Sequence, residues 1–236
     1  ERILTGYDGV RIFKTNLSGV SDSIHINQKT GLIQLLRHPI SDRESQFLSA
    51  RDMTKRNPVL WSVKTQMSGD LIHLLTDSVS SAIDSIKIFN NAIVAEQDSL
   101  NPRQFNQMKG INLFGNFEDN DLQTIDIVKN AEMVYYLYDD TSLDLIGVDK
   151  AICSAMQLRM AENQIQSITF LTKPEGGVYP IEELSKDQQQ LPGFYWRGDE
   201  MIQSKADLIK NTAKTDSDSQ NADAKEIMSL LKRQMK

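Results

Sequence analysis

Cysteine is almost missing from these 236 residues, and Cys153 stands alone. One cysteine excludes an internal disulfide and a cysteine-cluster zinc site. Such scarcity fits either a reducing cytosol or a secreted protein large enough to need no staples. Glycine and proline, 12 and 6 residues, are too few for a fibrous or low-complexity chain. No apolar run approaches the roughly 18 residues of a membrane-spanning helix. Positive charge is in deficit, with 26 Lys and Arg against 32 Asp and Glu, so nucleic acid is not expected as a partner. No nucleophile elbow, phosphate-binding loop or paired-carboxylate site is present. His25 and His73 lack a third ligand in the sequence, so no metal and no cofactor are expected. No signal peptide is visible at Glu1. The chain opens as though inside a structured region, which leads us to expect that a leader has been removed.

What the sequence has instead is a repeated β-ribbon. In Gln107 to Ala131, Leu113 and Phe117 share one face of a first arm, and Ile125 and Ile127 share one face of a second. The period is two, so one side is dry and the other wet. Between the arms, Glu118-Asp119-Asn120-Asp121 is a turn signal. The same plan recurs at 17–39, 66–92 and 151–174. Each unit opens on a small anchor residue: Ser21, Gly69, Gly110 or Cys153. Each closes on a pentad: Leu35 to Pro39, Ile88 to Ala92, Ile127 to Ala131 or Phe170 to Pro174. The anchors lie 48, 41 and 43 residues apart. The first interval is longest because Ser41 to Asn57 reads as an insertion, a short helix or a loop, with Phe47, Leu48 and Met53 on one helical face.

Further strands are predicted at Val10 to Phe13, Pro58 to Trp61, Ile93 to Ala95 and Met133 to Tyr138, the most β-prone run in the chain. Hairpin turns are expected at Gln28 to Gly31, Thr76 to Ser81 and Ala161 to Gln164. After Pro174 the periodicity breaks. Glu175-Gly176-Gly177 and Pro180 read as a loop, and Ser185 to Gln190 as helical. Gly193 to Gly198 is expected to seal one end of the fold, with Trp196 capping the core. The domain is placed at 1–199. The segment 200–236 is read as a polar tail, with Ile227, Leu230, Leu231 and Met235 at helical spacing near its end.

Hairpins of this kind cannot each bury a dry face alone. Stacked in order, they make a twisted antiparallel sheet that folds over on itself. The aliphatic residues expected inside are Ile24, Ile26, Ile72, Leu74, Ile86, Ile88, Leu113, Ile125, Ile127, Met156, Leu158, Ile168 and Phe170. For any one of them, ordinary core packing is the simpler role. Together they could line a trough for acyl chains. His25 and His73 alternate with apolar neighbours and are expected to face outward. Cys153 fills a place held elsewhere by Gly or Ser, so it reads as a small buried residue rather than a nucleophile.

The ordered set of units resembles the OstA-like family of periplasmic lipopolysaccharide-transport proteins, in the form found in the Bacteroides group. The resemblance is carried by Gln66 to Leu74, Ile83 to Ala92, Pro58 to Trp61, Gly147 to Ala151 and Gly193 to Asp199, and it spans Val10 to Asp199. It implies an all-β fold, a taco-like β-jellyroll of repeated hairpins with a short polar or helical tail. It implies that the apolar inside holds the acyl chains of lipid A. It also implies that jellyrolls join edge to edge, with other transport components or with further copies of the chain, in the periplasm. A dry, non-directional surface suits a lipid, and open sheet edges recruit strands. The expected function is therefore non-enzymatic lipid carriage. The alternatives are a protein-binding scaffold with a filled β core and, last, a carbohydrate-active enzyme with two convergent carboxylates.

Overall fold

The computed structural model describes residues 2–37, 39, 46–77, 79–162 and 164–208. Among them one antiparallel sheet takes in fourteen strands. They are β1 (Ile3–Gly6), β2 (Val10–Lys14), β3 (Leu17–Ser21), β4 (Ser23–Asn27), β5 (Leu32–Leu36), β6 (Val59–Ser62) and β7 (Thr65–Ser68), then β8 (Leu71–Thr76), β9 (Ile83–Gln97), β10 (Phe105–Glu118), β11 (Asp121–Tyr138), β12 (Leu145–Ala161), β13 (Gln164–Leu171) and β14 (Glu175–Tyr179). The folded sheet of repeated hairpins expected from the sequence is the architecture of the chain.

Four long strands, β9 to β12, belong to two leaves at once. Their hairpin-side halves continue the order β1-β4-β5-β8-β9-β10-β11-β12-β13. Their other halves lie in a second leaf, where β2 pairs with β3, β3 with β6, β6 with β7, β7 with β9, and β14 with β12. Each long strand bends where its register shifts, as between Lys109 and Asn112 and between Val128 and Ala131. On β9, on β11 and after β13 the bend falls on a closing pentad. Asn90 and Asn91 have φ of 59° and 52°, Lys129 and Asn130 have 65° and 53°, and Thr172 and Lys173 have 64° and 49°. Two successive left-handed residues turn the strand out of one leaf and into the other. Asn tolerates that conformation; Thr and Lys take it only under the constraint of the surrounding ladder.

The anchors sit opposite these corners. Gly69 faces the Asn90 carbonyl, and Gly110 faces the carbonyls of Val128 and Lys129. Backbone amides one residue on close the crossing: Asp70 N–H donates to Asn90 O at 3.0 Å, and Ser154 N–H to Thr172 O at 3.3 Å. A small anchor is needed because main chain comes this close. In Cys153 the thiol is buried and donates to Ala155 O; burial pushes its pKa up, the state of an inert thiol.

Ile93 to Ala95 and Met133 to Tyr138 are not separate strands. They are the second-leaf halves of β9 and β11. Glu175 to Tyr179, expected as a loop, is strand β14, with Gly176 and Gly177 paired to Ala151 and Lys150. Segment 185–190 forms turns rather than a helix. The insertion contains helix α1 (Ala50–Lys55), capped by Ser49, whose side chain accepts from Asp52 N. Phe47 and Leu48 precede that helix, and Phe47 is exposed. Residues 41–45 of the insertion, His38, Asn163 in the last turn, and the tail from 209 with its expected helix lie outside the described residues.

Gly193 to Gly198 does not cap the end of the core. Residues 180–202 form a strap against the second leaf. Leu191 packs with Val134, Tyr136 and Val148; Phe194 and Trp196 pack with Ile93, Ala95 and Phe105. Two glutamines tie it down. Gln66 donates to Tyr195 O at 2.9 Å and accepts from Arg197 N at 2.8 Å. Gln107 donates to Gln189 O at 3.1 Å and accepts from Leu191 N at 2.9 Å. Each side-chain amide stands in for a strand's peptide group. Under the strap the second leaf is dry on both faces, which explains why Ile93 to Ala95 and Met133 to Tyr138 read as near-continuous apolar runs.

Candidate functional site

The expected inward residues form one surface. Ile24, Ile72, Leu74, Ile86, Ile88, Leu113, Ile125, Ile127, Met156 and Leu158 are buried in a single cluster, with Ile26, Ile168 and Phe170 half-buried against it. All thirteen lie on the first leaf. They are placed in files by cross-strand pairing: Ile72 opposite Ile88, Ile88 opposite Leu113, Leu113 opposite Ile127, Ile127 opposite Met156, and Met156 opposite Phe170. The facing wall comes from the second leaf, chiefly Leu60, Met67, Val94, Met108, Ala131 and Met133. Sequence reading missed that wall. Around Leu60 and Val94 the inward residues alternate with other apolar ones, Val59 and Trp61, and Ile93 and Ala95, so the period-two signal is lost there.

Each fully buried aliphatic side chain contributes roughly 1.5–3 kcal/mol. Along the middle of the interior the two walls meet: Ile72, Ile86, Ile88, Leu113, Ile125 and Ile127 have no solvent exposure. At the N-terminal end the leaves diverge. A cleft of about 580 Å³ opens between Ile12, Phe13 and Leu17 on one side and Ile24, Ile26, Ile33, Leu74 and Ile83 on the other. That volume lies within the range of small-molecule sites, about 300–1,000 Å³. Three of the expected lining residues, Ile24, Ile26 and Leu74, border it.

Polar groups join the leaves across the rim of this cleft. Lys14 Nζ, at the end of β2, donates to Ser81 O and to Asn120 Oδ1, both at 2.7 Å. Asn16 donates to Asp121 at 2.9 Å. Asn120 Oδ1 also accepts from Ile83 N at 3.0 Å. Asp119 and Asn120, at φ of 53° and 67°, make the two-residue turn that presents this amide. Asp77 spends its carboxylate on the N–H groups of Val79 and Ser80, which hold its pKa low.

At the other end of the interior, Glu96, Tyr135 and Lys64 gather beside Ile165. Burial raises the Glu96 pKa, opposed by the Lys64 charge and a hydrogen bond from the Ile165 backbone. Tyr138 donates to the buried Asp98 carboxylate at 2.8 Å; desolvation, then that bond, pushes the phenol's pKa well up. Glu96 and Asp98 border the same small cleft, where Asp98 is committed to the Tyr138 hydroxyl and to the N–H groups of Leu100 and Asn101.

A second cavity, of about 750 Å³, lies between α1, the corner residues and the 192–193 segment. Its charges are paired internally, Arg37 with Asp70 at 3.3 Å and Lys109 with Glu132 at 3.1 Å. On the wet face of the first leaf, His73 bonds Gln34 at 2.9 Å and meets Phe89 edge-on at 5.1 Å. Burial, then the Lys87 charge, lowers its pKa, which favours the neutral ring. Among the described residues no group of three His, Cys, Asp or Glu is placed to hold a metal ion. No helix among them is long and apolar enough to cross a membrane.

No family model matches the sequence, and no curated protein matches it. Among solved structures, the chain is similar to LptH, the LptA homologous periplasmic component of the lipopolysaccharide transport device from Pseudomonas aeruginosa. The TM-score is 0.45 and the identity 8%, over 71% of this chain and 100% of that one.

Proposed function

We propose that the chain is a non-enzymatic lipid carrier of the periplasm, holding lipopolysaccharide acyl chains between its two leaves. The observation that carries this reading is a continuous dry interior that opens as an apolar cleft at one end. Acyl chains need no directional partners, and a wall of Ile, Leu and Met offers none. The family resemblance in the sequence supports the choice of lipid, and the Bacteroides form of the family is the version it favours. The ends of the sheet support assembly with other jellyrolls or with further copies. Edge strand β1 presents Ile3 and Leu4, and edge strands β13 and β14 present Leu171, Val178 and Tyr179, all in contact with solvent. Such edges accept an added strand.

The experiment is photo-crosslinking in cells. A photoreactive residue at Ile26 or Leu74 should capture lipopolysaccharide, and one at Gln157 on the wet face should not. Equal capture at both faces, or none at Ile26 and Leu74, defeats the proposal.

A second reading is a scaffold with a filled core that binds only protein at its edges. It is favoured by the middle of the interior, where the walls already touch. Organic extraction of purified protein separates the two: co-purified lipid supports carriage, and a lipid-free, edge-associated oligomer supports the scaffold.

A further inference from the structure

We infer that the N-terminal cleft is a site for one long-chain carboxylate, a free fatty acid held chain-first with its head at Lys14. The inference rests on the lipid-carrying reading and narrows it to a ligand class. Volume sets the chain count. A water takes about 30 Å³ in the liquid and a methylene is of similar size, so the cleft of about 580 Å³ holds roughly twenty such groups. That is a single fatty-acid chain. A lipid with several chains requires the leaves to part.

Depth sets a length limit. Behind Leu74 the cleft meets Ile72, Ile86 and Ile88, which are closed against the second leaf. The chain therefore enters a blind-ended sleeve. Charge sets the head group. Lys14 has two neutral oxygens as its hydrogen-bond partners, Ser81 O and Asn120 Oδ1. The nearby Asp77 is committed to its own turn. Lys14 spends two of its three N–H donors on these oxygens and is the one cation among the described residues lining the cleft. The ionised Asp77 on that lining is turned to its own N–H partners, so the remaining Lys14 donor is the place for an incoming carboxylate. Because Lys14 spans from one leaf to the other, the space beside it suits a compact carboxylate better than a bulky headgroup.

The test is displacement of a fluorescent fatty acid from the full chain by saturated fatty acids of increasing length. Affinity should climb about fourfold per methylene, the equivalent of about 0.8 kcal/mol, and then level off once the sleeve is full. Saturation should occur at one ligand per chain. Ile33→Trp should move the plateau to shorter chains. Lys14→Met should weaken fatty-acid binding about tenfold and leave the matched fatty alcohol unchanged, and Lys14→Arg should restore it. The length series is read on the unaltered chain and stands if a variant fails to fold. Affinity that rises without a plateau, saturation at several ligands, or equal loss for acid and alcohol would overturn the assignment. Equal displacement by a lysophospholipid of the same chain would overturn the compact head group. Capture of lipopolysaccharide without fatty-acid binding would sink this site and leave lipid carriage standing; binding of neither removes both.

Discussion

A methyl group added to Gly110 would lie 2.6 Å from Cγ2 of Ile127, inside contact distance. Gly69 stands in the same relation to Ile88, at 2.3 Å, and a Cβ there would also come within 3.0 Å of Asn90 O. These contacts lie where two strands cross from one leaf to the other, so neither partner can retreat without opening the sheet. Gly69→Ala and Gly110→Ala should each cost about 1–3 kcal/mol by overpacking. Denaturant unfolding checks this. Cys153→Ala, at the matching position, should cost much less, since the site already holds a Cβ.

The corners themselves make a prediction of the opposite sign. Lys129 has φ of 65°, a conformation that costs an L-residue about 1–2 kcal/mol. Lys129→Gly should therefore leave stability unchanged or raise it by up to about 1 kcal/mol. Val128→Gly, one residue earlier in regular strand, should lower it. A pair of thermal melts under one buffer distinguishes the two effects.

Gln66 is the stronger of the two strap ties. It serves Tyr195 O, Arg197 N and the Trp61 indole N–H, which donates to it at 3.3 Å. Gln66→Ala leaves three groups without that partner in a buried place, a loss of about 1–3 kcal/mol for each one that water fails to reach. The Arg197 amide should exchange faster with solvent hydrogen, and Trp196 emission should shift to the red as the strap lifts. Unchanged exchange at Arg197 would mean that the apolar contacts alone hold it.

Glu96 carries a pH dependence. Its pKa in the fold is raised, so the folded chain binds that proton more tightly than the unfolded one. Its contribution to stability is present in full below the ordinary Glu value and is lost as pH rises through the folded value. At pH 7 the carboxylate is a cost. Glu96→Gln should melt higher than the parent at neutral pH, and the gap should close on acidification toward the ordinary Glu value. A gap that widens in acid would refute the assignment.

The first leaf could be read directly. Ile125 and Ile127 alternate with Thr124, Asp126 and Val128, and they do so because one face meets the core and the other meets water. The turns were equally plain, since Asp119 and Asn120 belong to the few residues that accept a left-handed backbone. The second leaf could not be read in this way. Ile93 and Ala95 are as apolar as Val94 between them because Phe194 and Trp196 cover them, and nothing local to β9 announces a strap about a hundred residues later. The join of Ile88 to Ile93 was hidden by Asn90-Asn91, which looks like a stop and is a bend. β14 escaped notice because Gly176-Gly177 has no strand propensity; its pairing to Lys150 and Ala151 is fixed by the strand beside it. Of the candidate site, the first-leaf aliphatics were visible by alternation. Ile12, Phe13 and Lys14 were not tied to them, because only the folding of one leaf over the other brings that strand to the cleft.

The corners recur after three successive hairpins, β8–β9, β10–β11 and β12–β13, each time on the outgoing side. Each of these units thus carries its own crease and its own pair of small and large residues to seat the next. Adding or deleting one unit changes the length of the molecule by two strand spacings, roughly 9.5 Å, and leaves its cross-section untouched. A chain built in this way can be lengthened by gene duplication without redesigning its profile, much as a gutter is extended by fitting another section.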